Sequence, residues 1–553
     1  MPQNKAKFLI PAVGAALVLG GIATATYLFL KGGPSGTISD ALGSAKLVPD
    51  EAIMTAYIST DPKLWSNLEN FGTPEAQKLI TQGLEDFKKD LTKDSDLSYE
   101  KDLKPWLGGV MFAVLPPNPV QPTQSAPQER SEPNLLMVVG VKDKLAALDF
   151  SKKLKSQKDV ETKEIDYKGE TITETIENKG APSYSAILND RVVFAPNKEN
   201  VQQAIDTYKG EASFASKPGA DKLFNHNVDL QNTLVKVYVP DYGNTVKQLL
   251  TTNSSSQIPP QTLEQLKQVK SMIGAIGVDD VGIRMKATAN LDPQLTEYQY
   301  PNSPSNLVNL FPVDTILSAN GKGLKGVWSA FVKQSETNPE LNQALQQTRT
   351  QLQAINIDLD KDIFGWMDGE FALALIPANQ GVLANTGFGA ALVFDTSDRQ
   401  TTEATFDKIN NIAQNQLPIS IQKGKVGDKD VTKWEFPGQG ALVTQGWLDN
   451  DTVFMAVGDS VAQTVATPTN PSLKDSDPFK TIAGSLQQPN SGYFYLNMDL
   501  SMDIFDRFAA LQPIPKEART VLNSIRGVGM TANNPNKEIS QFEFVLALKR
   551  KSE

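Results

Sequence analysis

The phrase KDLKPWLGG at Lys101–Gly109 returns as KDIFGWMDG at Lys361–Gly369. A chain that repeats a phrase half a length later has to satisfy the same local packing problem twice. The flanks keep the same order. KLVPDEAIM (Lys46–Met54) resembles NLFPVDTIL (Asn309–Leu317), and Trp65 and Trp328 each follow their proline, Pro49 or Pro312, by sixteen residues. TPE at Thr73–Glu75 and NPE at Asn338–Glu340 both read as helix starts, with a capping Thr or Asn and Pro at the first helical position. Further on, LNDRVVFAPNKENVQQAI (Leu188–Ile205) resembles DNDTVFMAVGDSVAQTV (Asp449–Val465). Several anchors at a nearly constant offset point to two homologous repeats, expected over 47–300 and 301–553.

The repeated phrase puts a tryptophan three residues before a glycine and just ahead of an apolar run. Tryptophan buries a large area while its N–H seeks an acceptor. Trp106 and Trp366 are therefore expected to be structural, rather than to line a ligand cleft.

Strand-like runs are AIMTAYIS, VMFAVLP, LLMVVGV, TITETI, SYSAIL, RVVFA, LVKVYVP and GIRMKATANL, rich in β-branched and aromatic residues. GVDDVG and LNDRV read as hairpin turns. Helices are expected at Pro74–Leu91, Lys144–Ser156, Lys198–Tyr208 and Gln261–Lys270. Strands in pairs and triplets with helices between them predict an α+β fold of tandem duplicated domains, their mainly antiparallel sheets packed by helices. Pro116–Asn134 and Asn253–Gln261 have compositions that cannot bury a core.

Phe8–Leu30 carries no charge over 23 residues, enough to span a bilayer as a helix. A small-residue cleavage site is conceivable at Ala23–Ala25, but the apolar run continues beyond it, which favours an uncleaved anchor. Ala12, Ala16, Gly20 and Thr24 have a spacing that lets helices approach, though small residues are common in such spans. The expected order is a short tail (1–7), a transmembrane helix (8–30), a flexible linker (31–46) and the two repeats. Lys5 and Lys7 precede the span and Lys31 follows it, which places the N-terminus in the cytoplasm and the bulk in a periplasmic, lumenal or extracellular space.

Net charge is −10, and without those three lysines the balance is 50 basic against 63 acidic residues. Nucleic-acid binding is not expected, since it calls for a basic surface. An acidic body should likewise not adhere as a whole to an anionic bilayer. There is no cysteine and one histidine, His226, expected to be a surface or capping residue. Thiolate chemistry is excluded, and the usual general base and commonest transition-metal ligand are nearly missing. Asp358, Asp360 and Asp362 start like a calcium loop, but Ile363 stands where that loop needs glycine and Gly369 where it needs glutamate. A solvated acidic turn is expected there. GKGLKG (Gly321–Gly326) lacks the order of a phosphate loop and reads as a turn before the helix carrying Trp328. Paired carboxylates remain open, because tertiary distance rather than spacing sets them. No catalytic, cofactor-binding or metal residue is assigned and no cofactor is expected.

A single N-terminal span, the duplicated Trp-x-x-Gly phrase before an apolar strand, and the LNDRVVFA-like segments together resemble a family of uncharacterised bacterial membrane-anchored proteins, domain of unknown function 3352, common in cyanobacteria. The resemblance implies an envelope or thylakoid setting and no assigned activity. The function expected is a membrane-anchored scaffold or protein-interaction protein that is not an enzyme, with the membrane and an envelope protein or lipid as partners. The alternatives are a carrier for an apolar ligand such as lipid or pigment, and a carboxylate-dependent hydrolase.

Overall fold

The computed structural model describes residues 41–79, 81–82, 98–116, 134–156, 160–177, 181–225, 230–251, 266–295, 299–336, 338–438, 440–468, 470–508 and 514–551. The expected span Phe8–Leu30, the linker up to residue 40, His226, and most of Pro116–Asn134 and Asn253–Gln261 lie outside the described residues. Among the described residues no helix is long and apolar enough to cross a membrane. The chain divides after Leu295 into two units; the expected boundary was 300/301.

The first unit contains β1 (Met54–Ile58), β2 (Leu107–Val114), β3 (Leu135–Val141), β4 (Val160–Tyr167), β5 (Glu170–Glu177), β6 (Ser183–Leu188), β7 (Arg191–Ala195), β8 (Thr233–Val239), β9 (Val269–Val278) and β10 (Gly282–Leu291). All neighbours are antiparallel, in the order β10-β9-β8-β1-β2-β3-β7-β6-β5-β4. The second unit contains β11 (Leu317–Lys322), β12 (Glu370–Pro377), β13 (Phe388–Asp395), β14 (Ser420–Val426), β15 (Lys429–Phe436), β16 (Gly440–Trp447), β17 (Thr452–Val457), β18 (Tyr493–Asn497), β19 (Ile525–Asn536) and β20 (Ile539–Leu548). Its order is β20-β19-β18-β11-β12-β13-β17-β16-β15-β14, again antiparallel throughout. The two units thus share one strand order. The matching prolines sit alike: Pro49 bridges Ser213 and Pro312 bridges Ser472.

Each expected strand of the first half forms. Two are additional, β4 and β9. β4 reads VETKEIDY, too charged to look like a strand, and among the described residues it pairs only with β5. Charged side chains on such an edge discourage pairing with another chain. β9 displaces the end of the helix expected at Gln261–Lys270, since Lys270 already lies in the strand. The glycine-rich SMIGAIGV hides its strand character, and only pairing with β8 and β10 fixes it. Helix Lys144–Lys155 starts after Asp143, whose side chain accepts from the Leu145 and Ala146 N–H groups. Helix Lys198–Tyr208 forms with the expected bounds. Asn189 takes φ +58° in the expected LNDRV turn, a conformation Asn tolerates.

β3 shows how the sheet is covered. Leu136 and Val138 face one core, with Val201, Ala204 and Ile205 of helix Lys198–Tyr208. Val139 and its alternate neighbours Met137 and Val141 face the other, with Trp106 and with Ala146, Ala147 and Phe150 of helix Lys144–Lys155. In β2, Gly108 lies at a register shift where a Cβ would come 2.5 Å from the Gly140 carbonyl oxygen. The expected linker is corrected at its end. Ala41–Ala45 form a short helix, with Ala41 and Ala45 fully buried in the first core. Their small side chains let the backbone approach the sheet closely, an effect a Gly/Ser-containing composition conceals.

If Ala41–Ala45 belong to that core, Ala45→Asp places a carboxylate where nothing neutralises it. The expected cost is about 3 kcal/mol or more, read as a lowered unfolding midpoint of the full chain in urea, whereas the exposed Lys46→Asp should change it little.

Candidate functional site

Both copies of the Trp-Gly phrase close the same clasp. The segments before β2 and β12 wind into single wide turns at Tyr99–Leu103 and Leu359–Ile363. The Trp106 indole N–H donates to the Asp102 carbonyl at 2.7 Å, and the Trp366 indole to the Asp362 carbonyl at 2.9 Å. Each aspartate uses its carboxylate twice more. Asp102 accepts from the Ser98 N–H at 2.6 Å and from Lys153 Nζ at 2.9 Å. Asp362 accepts from the Asp358 N–H at 2.8 Å and from Lys408 Nζ at 2.7 Å. Lys153 and Lys408 come from the helices that follow β3 and β13, Lys144–Lys155 and Arg399–Gln416. Trp106 and Trp366 are 3% and 2% exposed, which makes them structural residues. Phe150 packs against Trp106, and Phe394 and Phe406 against Trp366.

Lys153 beside Asp102 and the Ser98 N–H hold the Asp102 carboxyl below its usual range. For Asp362 burial pushes upward, but Lys408 and the Asp358 N–H outweigh it and the net shift is down. The expected solvated acidic turn is thereby corrected. Asp358 caps its turn by accepting from the Asp360 and Lys361 N–H groups. Asp360 accepts from the Trp328 indole and Arg349, both at 2.8 Å. Asp362 is buried. The cations beside Asp360 and Asp362, Arg349 and Lys408, come from separate helices, so the sequence shows an acidic run without showing what neutralises it. Of the turn expected at Gly321–Gly326 only Gly323 remains: Gly321 and Lys322 end β11, and Leu324–Gly326 already open helix Leu324–Glu336, which carries Trp328. Among the described residues no group of three or more His, Asp or Glu is placed to hold a metal ion.

Two acids that spacing could not pair come together in the second unit. Lys322 on β11 pairs with Glu370 on β12, and Asp395 follows Phe394, the partner of Phe371. Glu370 is 4% exposed and accepts from the Leu307 N–H at 3.2 Å. Burial pushes its carboxyl up, and Asp395 adds to this; the Leu307 and Asn306 N–H groups and Lys474 pull the other way without reversing it. Asp395 is also pushed up by burial and by Asp449 and Asp451, against the Thr452 hydroxyl, which donates to it at 2.9 Å. Such a pair has the raised values a general acid would need. Its geometry serves another purpose. Glu370 ties the 303–310 segment to the sheet, where Asn320 also donates to Ser303 and Ser305. In the first unit Val110 follows the repeated phrase where Glu370 follows it in the second, so this acid is confined to one unit.

A buried lysine marks the first unit. Lys236, in the middle of β8, is 1% exposed and donates to the Leu223 and Phe224 carbonyls at 2.9 and 3.4 Å. Burial lowers its ammonium to about 8. Thr55 pairs with Tyr238 and Ser318 with Tyr495, so the position matching Lys236 in β18 is Tyr493. A concavity of about 210 Å³ lies on the second unit, lined by Ile357, Ile409, Ile412, Leu417 and Trp434. It is open, and smaller than the ~300–1,000 Å³ typical of small-molecule sites.

The family model described as Protein of unknown function (DUF3352) matches residues 12–548. No curated protein matches the chain. Three solved structures, crystal forms I, III and IV of TP0453, align with TM-scores of 0.24, 0.24 and 0.25 and identities of 10%, 12% and 11%. They cover 47%, 45% and 45% of this chain, and 80%, 79% and 83% of their own. At those scores the likeness carries no argument about fold or function.

The clasps differ in exposure, and their mutants should differ too. The Asp362 and Lys408 side chains are 6% and 37% exposed, against 14% and 43% for Asp102 and Lys153. Asp362→Asn should cost about 2 kcal/mol and Asp102→Asn about 1, measured by urea unfolding near neutral pH. Because both carboxyls are lowered in the fold, their contribution is present above the ordinary aspartate value. The difference from wild type should shrink as pH falls below about 4. Glu370 has the opposite sign. Its raised carboxyl makes the wild type lose stability as pH rises from about 4.3 through the folded value. Glu370→Gln should therefore match or exceed the wild-type melting temperature at neutral pH and lose that advantage near pH 4.

Proposed function

We propose that this chain, which belongs to the DUF3352 family of proteins of unknown function, is a non-catalytic scaffold held at a membrane by Phe8–Leu30. The observation that carries the reading is how the charged groups are used. The buried and half-buried acids and lysines described above are engaged in holding the fold: Asp102 with Lys153, Asp362 with Lys408, Glu370 with backbone N–H groups, Asp395 with the Thr452 hydroxyl, Lys236 with carbonyls. A catalytic acid or base must be free to exchange its proton with a substrate in reach, and these are committed elsewhere.

Duplication of one ancestral unit fits the same reading. The shared strand order, the paired prolines and the paired Trp–Asp–Lys clasps support it. Two such units on one stalk offer two surfaces at a fixed spacing in sequence, which suits bringing partners together. The body lies outside the cytoplasm, supported by the lysines flanking the uncharged run.

Membranes carrying the full chain should retain it in alkaline carbonate, and protease added outside sealed inverted vesicles should leave the body intact. Complete release by carbonate would remove the anchor. Hydrolytic turnover that disappears in Glu370→Gln with Asp395→Asn would replace the scaffold reading by an enzymatic one.

A further inference from the structure

We draw no further inference here: the strongest candidate, the bare outer ridge of helix Lys144–Lys155 with Leu145 75% and Leu148 47% exposed, carries nothing because its lysines are matched by Asp143, Asp149, Asp102 and Glu164 and nothing in the structure shows what covers it.

Discussion

An indole has a single N–H to give. In each unit the tryptophan of the repeated phrase gives it to the carbonyl of the aspartate four residues earlier. That aspartate is itself fixed by a lysine from the helix following the next strand. The clasp thus joins three things that folding brings from far apart: a wide turn, the start of a central strand, and a helix lying across the sheet. Without it the turn would leave a buried indole unpaired, and the helix would lose its ion pair to the turn. Apolar contact sets depth but not direction; polar ties such as this ion pair help to fix where along the sheet the helix sits.

The same economy governs the rest of the polar interior. Glu370 and Asn320 fasten the entry segment of the second unit, where a pair of carboxylates would otherwise suggest hydrolysis. Lys236 is a lysine in a strand centre, tolerated because two carbonyls receive its ammonium. These groups carry perturbed proton affinities for structural reasons. A raised acid or a lowered lysine marks burial first, and function only when a reacting group can approach.

Much of this was legible in the chain. The strands of the first half declare themselves through β-branched runs bounded by turn residues, and the helix start at Asn338 through its cap. The paired tryptophans could be read as core because each directly precedes an apolar strand. Other features were hidden for definite reasons. β4 is an edge strand, so charge along it is an asset, and its pattern looks like a loop. β9 is rich in glycine and gains its shape from neighbours on both sides. Ala41–Ala45 look like linker because small residues suit close packing and flexible chain equally.

The sequence by itself determined that the pattern occurs twice, that the sheets would be antiparallel with helices between strand groups, and that cysteine chemistry is excluded. Those properties are one-dimensional: order, period and composition survive without a fold. Only the tertiary structure decided that Asp362 meets Lys408, that Glu370 and Asp395 share a strand end, and which face of helix Lys144–Lys155 is left bare. Each depends on residues brought together across the sheet from separate elements. A contact of that kind follows from strand order and register, which no local pattern encodes.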